Sequence, residues 1–427
     1  MRRWSTIALA LLLAASLSAA ATTIRIGTQS SQWADQLASI FEEFTADTGI
    51  RVEIDPISFG VMYEKLKTGF FAGTLPYDMI WCDSMWIPEF SQNDWVQDLS
   101  TYLGNADLTP AGWGYPEDFY GVEYSGNYQA GNQWGLPEGV YGIPLIAGFR
   151  PLYYRTDLLA VAGFDGPPAT LDELLQYAQA LNKPEVGVYG FVMPAKRPRI
   201  GYDFAQYLWT SGGDFFDADL KPIFNNAAGV EALELYVALG QVAPPGVAAY
   251  HITEAWEAYM NGRAALAWTW QDLASVAREQ SQIIGMFQCA IPPAGVDGQT
   301  HPLVGGIVAC MPSTAPNSEE AWELLTWLLA PGQRSLDHTL NGAMLQRRSV
   351  YDNPAVEEMY PSAAGDIEDA CQDLGRSIPF LPEWAAIDQI LAEQLSAAFT
   401  GLKTPQQALD DAATSVEELM IQAGYYE

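Results

Sequence analysis

Positive charge is scarce in this chain. Twenty Lys and Arg stand against 52 Asp and Glu in 427 residues, and His251, His301 and His338 are the only histidines. A chain that acidic repels nucleic acid and anionic membrane, so the basic footprint of a nucleic-acid binder is missing. Cysteine is nearly as rare: Cys82, Cys289, Cys310 and Cys371, with no C-x-x-C pair among them. Few histidines and no paired thiols argue against a zinc site. Long apolar runs are confined to the N-terminus, and no later stretch has eighteen uninterrupted apolar residues to span a bilayer. Catalytic signatures are absent too: no G-x-S-x-G elbow, no phosphate loop ending in Lys-Ser/Thr, no H-E-x-x-H and no complete G-x-G-x-x-G. Acidic residues are too many for a glycosidase carboxylate pair to be excluded by inspection, so a secreted glycoside hydrolase stays open as a rival reading.

What is present is a folded chain, 49% hydrophobic and 17% charged, long enough for two or three domains. Residues 1–21 read as a cleavable leader: Arg2 and Arg3, an apolar run from Ile7 to Leu17, then Ala19-Ala20-Ala21. Without the two leader arginines the balance is 18 basic against 52 acidic residues. An acidic coat keeps an exported protein soluble; a taste for cationic ligands is the sharper alternative. In an exported chain four cysteines suggest bridging. Cys289 and Cys310 lie on two strand-like runs joined by a Pro/Gly loop, and either pair if those strands pair or stay as buried thiols.

Thr23 to Gly27, a capped helix with apolar Trp33, Leu37, Ile40, Phe41 and Phe44, and Ile50 to Ile54 read as strand, helix, strand. That order predicts a parallel sheet, whose ligands gather at strand C-terminal ends and helix N-termini. Ser30, Gln32 and Trp33 then stand at a working edge, with Trp33 equally able to be core. Asp78 to Trp81 is a second buried strand, and Asp83, Ser84 and Trp86 follow at its end. Asp83 either accepts hydrogen bonds from ligand hydroxyls or caps a helix. The segment 105–140 is rich in Gly, Tyr and Trp, without helical period; it borders a cleft or packs on itself.

The stretch YGIPLIAGFRPLYYRTDLLAVAGF, Tyr141 to Phe164, is a strand broken at Gly148, then a second strand and a short helix. A strand so interrupted can pass between two sheets and bend there. Gly-Ile-Pro followed by Tyr-Tyr-Arg-x-Asp-Leu-Leu resembles the inter-lobe crossing of bacterial extracellular solute-binding proteins of the maltose-binding type, which serve ABC sugar importers. FTADTGIRVEID, PYDMIWCDSMW and GLKTPQQALDDAATSVEEL extend the resemblance over nearly all of 22–424.

The resemblance implies an α/β fold of two lobes, type II in the periplasmic-binding class, each a mostly parallel sheet flanked by helices and joined by a hinge. The limits expected are 22–146 with 290–331 for the first lobe and 150–285 with 335–427 for the second, with crossings at 146–151 and 285–290. It implies no enzyme and no cofactor, but capture of a neutral sugar or short oligosaccharide by a monomer that delivers it in the periplasm to an inner-membrane permease. A cationic solute such as a polyamine is the alternative on the same scaffold. Beyond Ser30, Gln32, Trp33, Asp83, Ser84 and Trp86, the expected ligand contacts are Arg150, Arg199, Tyr202, Trp256, Trp268, Trp270, Gln271, Asp272, Gly306 and Arg376. Trp268 and Trp270 stand where the family has a Gly-Trp turn, one as sugar platform and the other in the core. Asp83 and Arg376 are expected to face the ligand together.

Overall fold

The computed structural model describes residues 22–30, 32–274, 277, 281–340, 347–351, 353–359 and 366–426. The leader expected over 1–21 lies outside them. In chain order the strands are β1 (Thr23–Gln29), β2 (Arg51–Ile57), β3 (Met79–Asp83), β4 (Asn127–Tyr128), β5 (Gly139–Val140), β6 (Ile143–Gly148), β7 (Leu152–Arg155), β8 (Tyr189–Val192), β9 (Ala264–Trp268), β10 (Phe287–Ala290) and β11 (Gly305–Cys310).

Two large sheets result, as the broken strand at Gly148 predicts, and β4 pairs with β5 in a separate two-stranded ribbon. The first runs β2-β1-β3-β11-β6, and the second β10-β7-β9-β8. In the first, β1 pairs parallel with both β2 and β3, while β11 runs against β3 and β6. The β1–helix–β2 unit forms for the reasons read in the sequence. Ile24 and Ile26 alternate into the core, and Leu37, Phe41 and Phe44 line one face of the helix Gln32–Thr48. Gly49 then stops that helix at φ +79°, a conformation other residues rarely adopt. The second sheet is mixed: β8 and β9 are parallel, and β7 runs antiparallel to β9 and β10. β7 enters it directly from β6 through residues 149–151.

The segment 285–290, read as the return crossing, is not one. Phe287–Ala290 pairs with β7 in the second sheet, and the chain reaches the first sheet only by Gly305. This also removes the Cys289–Cys310 bridge, because the two strands belong to different sheets and do not pair. No disulfide joins any two of the four cysteines, and the neighbour of Cys310 is Cys82.

The Gly- and aromatic-rich segment 105–140 packs inward. Trp113, Phe119 and Tyr115 lie against one another, and Trp113 meets Trp322 of the helix Ser318–Leu328 beneath the first sheet. Arg347 fastens the segment: its guanidinium donates to the carbonyls of Leu329 and Trp113 and to Asp118, and it sits over the Phe119 ring at 4.4 Å. So residues 347–351, expected in the second lobe, pack against this first-sheet layer. The final helices Trp384–Phe399 and Pro405–Gln422 share the second sheet's core cluster, packing on each other and on the helices Arg199–Thr210 and Ala227–Gln241.

Candidate functional site

A ladder of buried charges and rings lies where the two sheets meet. β3 ends at Asp83, as a strand of the first sheet does at its working edge. Facing it is the N-terminus of the helix Arg199–Thr210, all of whose residues are buried. Asp83 Oδ2 lies 3.6 Å from Arg199 Nη1, an ion pair across the two sheets. Its Oδ1 accepts from the Met85 amide, so the capping reading of Asp83 holds, for the short turn Ser84–Trp86. Arg150, in the link between β6 and β7, is wholly buried and paired with Asp203, which stands one helical turn beyond Arg199. Rings fill the spaces between the cations. The Arg199 guanidinium sits 4.8 Å from the Phe59 ring and 4.5 Å from Tyr202, and Arg150 lies 4.4 Å from Trp270. Guanidinium planes stack well on such faces.

Several polar atoms of this cluster have no hydrogen-bond partner: Arg150 Nε and Nη2, Arg199 Nε and Nη1, Asp388 Oδ1, and Thr28 Oγ1 at the C-terminal end of β1. Buried polar groups are almost always satisfied, so these orphans make the cluster the candidate site. The guanidiniums offer donors and the carboxyl and hydroxyl offer acceptors. That mixture matches a hydroxyl, which does both.

Asp388 completes the cluster and was not singled out in the sequence. It lies on the helix Trp384–Phe399, whose buried residues include Trp384, Ile387, Leu391, Ala392 and Leu395. A lone carboxylate within that apolar stripe was the available signal. Its Oδ1 sits so close to Gly201 that a Cβ there would collide with it. Burial pushes its pKa up to about 7, with Asp83 adding to the rise and Arg199 opposing it. Burial also raises Asp83 and Asp203, each opposed by its arginine. With Asp388 holding its proton, two guanidiniums balance two carboxylates. Nearby His251 is pushed down to about 4 by burial and by Arg199, leaving it neutral.

The structure brings Asp83, Arg150, Arg199, Tyr202 and Trp270 together. Ser84 and Trp86 are buried just behind Asp83, where Trp86 stacks on Phe59 at 5.5 Å. Ser30 is exposed beyond β1, and the side chains of Gln32 and Trp33 lie outside the described residues. Trp256 is half-buried and donates to Thr269. Asp272 is held in the turn after β9, its carboxyl raised to about 6 by burial.

Four expected contacts do other work. Trp268 is a core residue, edge-on to Tyr207, its indole N–H donating to the Arg150 carbonyl at 2.9 Å. Gln271 holds the link between the sheets, accepting from the Phe149 amide at 2.9 Å and donating to the Ala147 carbonyl at 3.2 Å. Gly306 is a strand position pressed on the Ile146 carbonyl, where a Cβ has no room. Arg376 pairs with Asp214 at 2.6 Å, half-exposed. Asp214 follows the C-terminus of Arg199–Thr210, so this pair and the Asp83–Arg199 pair sit at opposite ends of a helix roughly 18 Å long. Trp270 is no free platform either: Arg150 takes one face, and Gly148 lies under the ring, a Cβ there falling 2.7 Å from it.

Residues 30–335 match the model of the bacterial extracellular solute-binding proteins. The chain belongs to that family. Over nearly the whole length it is 23% identical to a putative binding protein of Brucella abortus, covering 98% of this chain and 99% of the relative. A mannitol-binding protein of Pseudomonas aeruginosa is 24% identical over 91% of this chain and 90% of its own. Among solved structures, a solute-binding protein of Agrobacterium radiobacter K84 in complex with ribitol superposes with a TM-score of 0.83 at 26% identity, covering 93% and 98% of the two chains. Maltose-bound MalE3 of T. maritima gives 0.81, also at 26%, with 93% and 100% covered. The solute-binding family and the two sheets thus agree on a two-lobed α/β protein.

Two glycines on the first sheet let the second approach. Gly305 of β11 pairs with Gly148, and a Cβ on Gly305 would strike the Tyr202 hydroxyl and come within 3.7 Å of Trp270. Gly305→Ala is therefore expected to oppose the closed packing at a cost of about 1–3 kcal/mol. Ligand affinity should fall roughly tenfold or more. Titration calorimetry against the parent protein checks this; unchanged affinity would show that Tyr202 does not need that approach.

Proposed function

We propose that this solute-binding protein captures a neutral sugar or polyol between its lobes and presents it to an ABC permease. The observation that carries the reading is the set of orphaned donors and acceptors around Asp83, Arg150, Arg199 and Asp388, charge-balanced when Asp388 is protonated. A ligand without charge adds nothing to that balance, and its hydroxyls satisfy donors and acceptors alike. Support also comes from relatives named or solved with mannitol, ribitol and maltose. Within this reading the lobes are those built on the two sheets, the protein acts as an exported monomer, and binding without chemistry is its whole task. The contacts would be Asp83, Arg150, Arg199, Tyr202 and Asp388, with Thr28 at the edge. Ligand held by both lobes would stabilise the closed form for the permease to read.

Calorimetric titration with ribitol, mannitol, maltose and a polyamine, each at low and high salt, tests this. A neutral ligand should bind with an affinity that hardly changes with ionic strength, since no net ligand charge is screened. A steep salt dependence, or binding by the polyamine alone, would replace the neutral reading with the cationic one. Release of reducing sugar at substoichiometric protein would instead make it a hydrolase.

A further inference from the structure

The tip of the segment 105–140 takes no part in the site around Asp83, and it ends beside a cavity. Asn132 builds that tip. Its side-chain oxygen accepts from the Trp134 and Leu136 amides at 3.2 and 3.1 Å, and its amide group donates to the Gln129 and Leu136 carbonyls at 3.0 and 2.8 Å. Held in this way, the half-buried Trp134 ring stands edge-on to Phe380 at 6.4 Å. The cavity has a volume of about 460 Å³, within the range of small-molecule pockets. Besides Trp134, one wall comes from helices of the first-sheet layer, with Tyr63, Lys67, Glu89 and Gln92. The other comes from the ends of the two final helices, with Glu383 and Tyr425. None of Asp83, Arg150, Arg199, Tyr202 and Asp388 lines it. Tyr63 lies 5.6 Å from Trp86, which stacks on Phe59, and Phe59 in turn meets Arg199, so the path from this cavity to the first site runs through two rings.

The polar groups of the cavity are held in place by one another. Glu89 accepts from the Tyr63 hydroxyl and from Lys67 at 2.7 Å, and Lys67 also donates to the Tyr63 oxygen at 3.1 Å. Glu383 accepts from the Tyr425 hydroxyl at 2.7 Å. That leaves a third N–H on Lys67, the second oxygen of Glu383 and the amide of exposed Gln92 to face the space. We infer that this cavity is a second binding site, which takes one ring of a neutral sugar. A sugar ring has an apolar C–H face to lay on Trp134 or Tyr425, and its hydroxyls both accept from Lys67 and donate to Glu383. An anion would meet the Glu89 and Glu383 carboxylates, and a cation would meet Lys67. A ring held here touches the layers of both sheets, so it braces the closed form from outside the first site. The inference goes beyond the first site and does not depend on what that site binds.

The probe is methyl glucoside, a single neutral ring, titrated by calorimetry into protein whose first site is disabled by Arg150→Met with Asp203→Leu. One equivalent should still bind. Trp134→Ala in that background should weaken it roughly tenfold or more, the loss expected for a stacking face. Gln92→Trp fills the cavity from an exposed position and should abolish the binding, while denaturant unfolding shows the fold retained. No binding in the disabled background, or binding that Gln92→Trp leaves unchanged, would overturn the inference. Binding of spermidine in place of the glucoside, lost on Glu383→Gln, would also overturn it by making the cavity a cation site. So would a single equivalent in the parent protein that needs both Gln92 and Arg150, because the two places would then be one extended site.

Discussion

Arg150→Ala is expected to lower the unfolding free energy by about 3–5 kcal/mol and to abolish ligand binding. Arg150 is completely buried between the sheets, and its removal strands the Asp203 carboxylate, whose second oxygen keeps only the Tyr236 hydroxyl at 3.3 Å. The guanidinium also fills the space between Trp270 and Tyr202, so truncation leaves a void beside both rings. Stability and binding separate in a second variant. Replacing both partners by apolar residues of similar size, Arg150→Met with Asp203→Leu, removes the stranded charge and should restore much of the stability. It should not restore binding, because the free Nε and Nη2 donors are gone. Denaturant unfolding and calorimetry on the three proteins check this. A double variant that binds as the parent does would show that Arg150 serves the fold alone.

The frame of this protein was readable because each of its steps depends on local chemistry. Alternating Ile24 and Ile26, the helix stop at Gly49 and the break at Gly148 report their own geometry. Thr404 as cap and Pro405 in the first turn likewise have the local chemistry that starts the last helix. The site was legible only on the side that a strand end exposes. Asp83 follows a buried run and so declared itself. Its partner did not: Arg199 and Arg376 both read as rare cations in an acidic chain, and only the path of the helix Arg199–Thr210 puts one at each end. Trp268 and Trp270 are two residues apart in an extended segment, hence on the same side, yet one is bonded to the Arg150 carbonyl and the other lies against its guanidinium. No sequence pattern distinguishes those fates. Cys289 and Cys310 were near in sequence, but residues 291–304 carry the chain from one sheet to the other, and Cys82 came from 228 residues away.

The second large effect is on pH, and it runs through Asp388. The groups facing its carboxyl are Arg199 and Tyr202 with the Gly201 backbone on one helix, and Asp83 at the end of β3. Closed and buried, the carboxyl titrates at about 7, against an ordinary value of 3.8. When the lobes part or the chain unfolds, it meets water and returns toward that lower value. The closed form therefore binds the extra proton between about pH 4 and about pH 7. A raised carboxyl pKa makes closure most favourable below that window, progressively less so across it, and level above it. Affinity for a neutral ligand should accordingly fall from pH 5 to pH 8 by up to about a hundredfold, at most tenfold for each unit below pH 7. Calorimetry at pH 6 in two buffers of different ionisation enthalpy should detect proton uptake on binding, and none at pH 9. His251 adds nothing here, being neutral above about pH 4, and Asp272, at about 6, stops contributing sooner. Asp388→Asn keeps the shape and removes the titration, so its affinity should lose the pH dependence above 6. An affinity that rises with pH, or an Asn variant with the parent's profile, would remove Asp388 from the ligand's surroundings.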